Sequence, residues 1–248
     1  MQTTKRIFWV AVIVALGLAG YSLLGSKGSI VITSPIDNTV VYLDGVSYRT
    51  LDKEESLTIR IETGTHNILT SSESHFPWAK DIIVEKGKTI NLSPFMLSSN
   101  PSGEIITGAD PEYEKIKSLV QKSTLPISES RKKSNEGNVE IWATGSAIFA
   151  NWTGDIKNAP EYFCIKDPCD PILEVFKGAG AIENLDFYKD REDLLIFASG
   201  NGVFAIEMDP RGIKNFQPIF TGTRPHFSQQ DPQTFYILDG DQLAQLAF

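Results

Sequence analysis

The 248 residues hold only two cysteines, three histidines and three methionines, which narrows the available chemistry at once. Cys164 and Cys169 are the sole thiols, and His66, His75 and His226 stand far from them, so no zinc centre can be assembled from neighbouring ligands. No Gly-x-Ser-x-Gly marks a nucleophile elbow, and no Gly-x-x-x-x-Gly-Lys follows a strand, which removes the usual signatures of serine hydrolases and phosphate-binding loops. The largest basic cluster is Arg131-Lys132-Lys133 in a chain of net charge -8, which excludes the electrostatic footprint of nucleic-acid binding or of adhesion to anionic lipid. Asp239-Gly240-Asp241 lacks the twelve-residue ligand spacing of a calcium loop. The sequence therefore assigns no catalytic, cofactor-binding or metal-ligating residue.

What is abundant points to β structure, since 19 Gly, 13 Pro and an aromatic content of 10% favour turns and strands. One segment differs. Ile7 to Leu24 carries no charge, follows Lys5 and Arg6, and as a helix would span roughly 27 Å at ~1.5 Å per residue. Residues 1–27 are thus expected to be a cytoplasmic tip and transmembrane anchor. The protein would be single-pass in the cell membrane, with a cytoplasmic N-terminus and an extracytoplasmic bulk. A cleaved signal peptide, cut after Ala19, is the competing reading.

From residue 28 to 97 the pattern is a series of short β runs: Ser29 to Thr33, Thr39 to Gly45, Ser56 to Glu62, Thr65 to Ser71, Lys80 to Gly87 and Thr89 to Leu97. In the third, Leu57, Ile59 and Ile61 alternate with polar residues, the period of a sheet with one buried face. Asp44-Gly45, Thr63-Gly64 and Lys86-Gly87 supply glycines suited to reversals, so a small antiparallel β-sandwich, or else an open barrel, is expected. Ser34-Pro35, Val41-Tyr42-Leu43-Asp44-Gly45, Glu62-Thr63-Gly64-Thr65-His66-Asn67-Ile68 and Phe76-Pro77-Trp78 resemble the PEGA domain. The Pro-Glu-Gly-Ala signature itself falls on Ile36, Asp37, Asn38 and Thr39. The resemblance implies a non-enzymatic module of envelope and surface-layer proteins, without catalytic residues.

Residues 98–138 carry six acids and six bases with few aromatics and read as a linker. Within it, Asp110-Pro111-Glu112 resembles an N-cap, a first-turn proline and a first-turn acid, predicting a short helix over about 110–122.

Residues 139–248 contain three segments that superpose as strand, glycine turn, strand: Val139 to Trp152, Leu194 to Met208 and Phe235 to Phe248. Further runs at Ile172 to Phe176, Ile182 to Tyr188 and Gln217 to Phe220 supply extra strands, predicting a partial β-propeller-like antiparallel unit of about three blade-like hairpins. The stretch from Asp186 through Asn215-Phe216-Gln217-Pro218 to Asp239-Gly240 resembles the C-terminal propeller-like region of membrane-anchored bacterial PEGA proteins.

Cys164 and Cys169 suit a local disulfide, whose short loop would contribute roughly 2 kcal/mol. The acid pairs Glu192-Asp193, Glu207-Asp209 and Asp239/Asp241 have the residue type that glycoside hydrolysis needs, and Trp78, Trp142 and Trp152 could stack on sugars if exposed. These features together point to a non-enzymatic, membrane-anchored envelope protein that binds an envelope protein partner and no nucleic acid. Binding of cell-wall carbohydrate is the alternative, and hydrolysis the remote one.

Overall fold

The computed structural model describes residues 26–123, 131–164, 169–189, 191–230 and 234–247. They form two compact units, the first running to Ile68 and taking up Asp81–Pro94, the second comprising Leu69–Lys80 and everything from Phe95 onwards.

The strands of residues 26 to 92 are β1 (Lys27–Thr33), β2 (Thr39–Leu43), β3 (Val46–Leu51), β4 (Ser56–Glu62), β5 (Gly64–Ser71), β6 (Trp78–Val84) and β7 (Thr89–Leu92). They build a sheet of order β4-β1-β7 and another of order β3-β2-β5-β6. Alternation decides which residues are inside: Ile30 and Ile32 of β1 lie opposite Ile59 and Leu57 of β4, and all four are buried. Each such side chain contributes ~1.5–3 kcal/mol on leaving water.

The turn between β2 and β3 places Asp44 and Gly45 both at positive φ, the two-residue type I′ hairpin that Asp-Gly favours. The other glycine reversals differ from the expected hairpins. β4 and β5 belong to different sheets, as do β6 and β7, so Gly64 and Gly87 sit where the chain crosses from one sheet to the other. The crossovers let β7 return beside β1 in parallel, so the unit is not wholly antiparallel. Gly28 of β1 fits closely, since a Cβ there would lie 2.5 Å from the Glu85 carbonyl oxygen. Backbone cannot yield as a flexible side chain can, so Gly28→Ala should destabilise the protein by about 1–3 kcal/mol in urea unfolding.

The second unit is built from β8 (Ser102–Ile106), α1 (Tyr113–Ser123), β9 (Lys132–Lys133), β10 (Val139–Thr144), β11 (Ala147–Trp152), β12 (Ile172–Lys177) and β13 (Ile182–Phe187). It continues with β14 (Leu194–Ser199), β15 (Gly202–Glu207), β16 (Phe216–Thr221), β17 (Pro225–Gln229), β18 (Phe235–Asp239) and β19 (Gln242–Ala247). Three four-stranded antiparallel sheets result, of orders β12-β11-β10-β9, β13-β14-β15-β16 and β17-β18-β19-β8. The three superposable segments are the central hairpin of each sheet. Their turns carry Gly145, Gly200 and Gly240 at positive φ, followed by a residue at ordinary φ, which is the type II′ geometry.

The first two sheets share a core that includes Ile141, Ile148, Phe163, Val175, Leu195, Phe197 and Met208. Residues 98–138 are not a bare linker: β8 supplies the outer strand of the third sheet, and α1 buries Ile116 and Val120 against Leu238 and Leu243. The disulfide Cys164–Cys169 is formed, with the two Cα atoms 4.5 Å apart.

The fold is therefore mainly β, made of several largely antiparallel sheets, and the transmembrane helix of the sequence reading is corrected. Ile7 to Leu24 lies outside the described residues, and among these no helix is long and apolar enough to cross a membrane. α1, with 11 residues, spans only about 16 Å at ~1.5 Å per residue. The single-pass localisation loses the helix on which it rested.

Candidate functional site

Charged groups concentrate around the end of β15. On β6, Trp78 and Lys80 occupy the buried side of the alternation, which takes a lysine where an apolar residue is the rule. The Lys80 side chain is only 4% exposed. Its Nζ donates to Glu207 Oε2 and to the Asp209 carbonyl, both at 3.0 Å, with Asp209 Oδ2 at 3.5 Å.

Asn215 and Gln217, two residues apart, extend the network with side-chain amides that act like a strand's backbone. Asn215 Nδ2 donates to Glu207 Oε2 and to the Ala79 carbonyl, both at 2.9 Å, while Oδ1 accepts the Ala79 N–H at 3.0 Å. Gln217 Oε1 accepts the Leu97 N–H at 2.9 Å, and its Nε2 donates to the carbonyls of Phe95 (3.1 Å) and Pro77 (3.3 Å). Both residues are buried. These bonds fasten residues 77–80 and 95–97 to the chain at Asn215 and Gln217.

The two carboxylates at Lys80 are driven apart. Burial pushes Glu207 above the usual carboxylate range, against the opposing pull of Lys80 and Asn215. Burial also acts on Asp209, but hydrogen bonds from Arg211, with Lys80 beside them, hold it below that range. Arg211 grips Asp209 with Nε and Nη2, each at 3.0 Å, and reaches Glu161 at 2.9 Å. Arg191 forks onto Asp193, and Ser134 donates to Glu192. Burial pushes the Tyr162 hydroxyl far up, and Asp193, Asp209, Glu207 and Glu192 all add to it.

The structure thus gathers two of the three acid pairs, Glu192-Asp193 and Glu207-Asp209, around Tyr162. It leaves the third apart, with Asp239 accepting the Thr223 and Arg224 N–H groups and Asp241 pairing with Lys117 at 3.3 Å. A split of raised and lowered carboxylates also occurs at catalytic centres. Here each carboxylate is spent on a neighbouring cation, amide or hydroxyl, the pattern of a structural ion-pair network.

The histidines are dispersed. His66 bonds Asp44, His75 bonds the Glu73 carbonyl, and His226 lies 3.8 Å from Glu183. Among the described residues no group of three or more His, Cys, Asp or Glu could hold a metal ion. Of the tryptophans, Trp78 is core, Trp152 donates to the Asp155 carbonyl and packs on Phe163, and Trp142 lies between Phe149 and the Arg131 guanidinium.

The feature missed in the sequence is β3. It is the end strand of its sheet, and Val46 to Thr50 are all exposed, with Val46 at 67% and Tyr48 at 54%. The register slips by one residue at Tyr48, opposite Val41 and Tyr42, and β3 carries one charge, Arg49, but no proline or lysine. No protein-family model matches this chain, and no curated protein matches it.

Proposed function

We propose that the protein is a non-catalytic binding module that recognises another protein by strand addition along β3. The supporting observation is an edge strand whose outer side has no neighbouring strand among the described residues and whose Val46 and Tyr48 side chains stand in solvent. An extended segment laid on such an edge gains main-chain hydrogen bonds, and alternate side chains give it selectivity. Tyrosine is also enriched where proteins meet.

Charge favours a foreign partner over a second copy. Residues 28 to 97 carry nine acids against six bases, so like units repel. Arg49 is already paired with Glu55 and adds no free cation to the edge. The PEGA-like pattern of residues 28–97 agrees with a non-enzymatic role. The acids of the three pairs are all engaged by neighbours, which leaves the edge as the stronger feature.

The partner can be sought by affinity purification with the intact chain as bait. A double variant, Val46→Lys with Tyr48→Lys, blunts the edge without touching the core and should reduce recovery of the specific partner at least about tenfold. Equal recovery by both baits would reject the edge as the recognition element. Concentration-dependent dimerisation abolished by the same substitutions would instead identify a second copy as the occupant.

A further inference from the structure

His66 faces acceptors on both sides. Its Nδ1 lies 2.8 Å from Asp44 Oδ2 in the β2–β3 turn, and its Nε2 lies 3.0 Å from the backbone carbonyl of Glu62 at the end of β4. A carboxylate and a carbonyl can only accept. A neutral imidazole has one N–H and one lone pair, so it can satisfy one of them while turning its lone pair on the other. Only the imidazolium, with two N–H groups, fits this geometry.

The rest of the site is arranged around that cation. Asp44 also accepts the Asn67 N–H at 2.9 Å through Oδ1, and Asn67 Nδ2 donates to Asp81 of β6 at 2.8 Å. The Glu62 side chain is turned to Lys27 of β1 at 3.4 Å. The charged groups around the ring are therefore Asp44 from the turn, Glu62 with Lys27 from β4 and β1, and Asp81 on β6 behind Asn67.

We infer that His66 is a proton-operated clamp that fastens the β2–β3 turn to the end of β4, closed while the ring carries two protons and loosened when it carries one. The inference does not rest on strand addition at β3. It bears on it, however, because Asp44 begins the turn that leads into that strand.

The hydrogen bond to Asp44 raises the His66 pKa above its ordinary 6.5, against a smaller opposing effect of burial. The same bond lowers Asp44 below 3.8. A raised histidine contributes stability that is complete below pH 6.5 and lost as pH climbs through the folded value. A lowered carboxylate contributes stability that is complete above pH 3.8 and lost on further acidification. The clamp is thus fully closed between those two limits and opens on the alkaline side.

Imidazole nitrogen NMR of the full chain tests this directly. His66 should titrate above 6.5 and show both ring nitrogens protonated at pH 6, and Asp44→Asn should bring the pKa down. In parallel, the protection factor of the Asn67 amide should fall about three- to tenfold between pH 6 and pH 9, and stay level in His66→Gln, which does not titrate. A His66 pKa at or below 6.5, or an Asn67 protection factor unchanged with pH in the wild type, would overturn the clamp.

Discussion

Lys80→Met should lower the free energy of unfolding by about 3–5 kcal/mol, read from urea denaturation at pH 7. The loss arises from what remains. Glu207 is buried, and without Lys80 its carboxylate keeps the Asn215 amide alone as a side-chain donor among the described residues, while Asp209 retains Arg211. The ion pair itself supplies far less than this figure, because bringing both charges out of water offsets most of their attraction. Lys80→Met combined with Glu207→Leu should therefore recover most of the lost stability. A Lys80→Met variant within about 1 kcal/mol of wild type would show that Glu207 is hydrated or protonated in the native protein.

Gln217→Leu is the second large effect, expected at about 3 kcal/mol or more. It removes the partner of the buried Leu97 N–H and Phe95 carbonyl, and of the more exposed Pro77 carbonyl, and each buried orphan costs roughly 1–3 kcal/mol. Leucine fills similar space, so the loss is assigned to polar groups and not to a cavity. Gln217→Glu sharpens the test, since its carboxylate can still accept from Leu97 but would face two carbonyl oxygens. At pH 7 it should be no more stable than Gln217→Leu, and wild-type stability in either variant would remove the amide bridge from the account.

Much of this fold was legible because burial imposes a period. β4 alternates perfectly, and the central hairpins of the three sheets of the second unit announce themselves by a glycine between two apolar runs. β3 was not legible for the same reason in reverse: with both faces exposed, Val46 to Thr50 carry no alternation to detect. The partner of each strand was equally hidden. The parallel pairing of β1 with β7, and the recruitment of β8 by β19, join segments far apart in sequence whose local patterns do not differ from those of a hairpin.

The acids of the polar cluster could be singled out as Glu207 and Asp209, but their purpose could not. The decisive clue was Lys80, one residue of a run in which Trp78, Ile82 and Val84 are all buried. A cation at an inward position predicts a buried anion, although which anion depends on a contact 127 residues away in sequence. Asn215 and Gln217 likewise read as ordinary strand polar residues until the carbonyls opposite them are known. The run from Ile7 to Leu24 shows the opposite failing, in which strong local hydropathy was turned into a location without a structural element among the described residues to carry it.

Strand addition at β3 is tested most directly by placing a photo-cross-linking amino acid at Tyr48 and, separately, at Ile83, which is 70% exposed on β6 at the other end of the same sheet. The account predicts one discrete protein adduct from position 48, competed away by excess unmodified protein and absent from position 83. No adduct at position 48, or the same adducts at both positions, would contradict it.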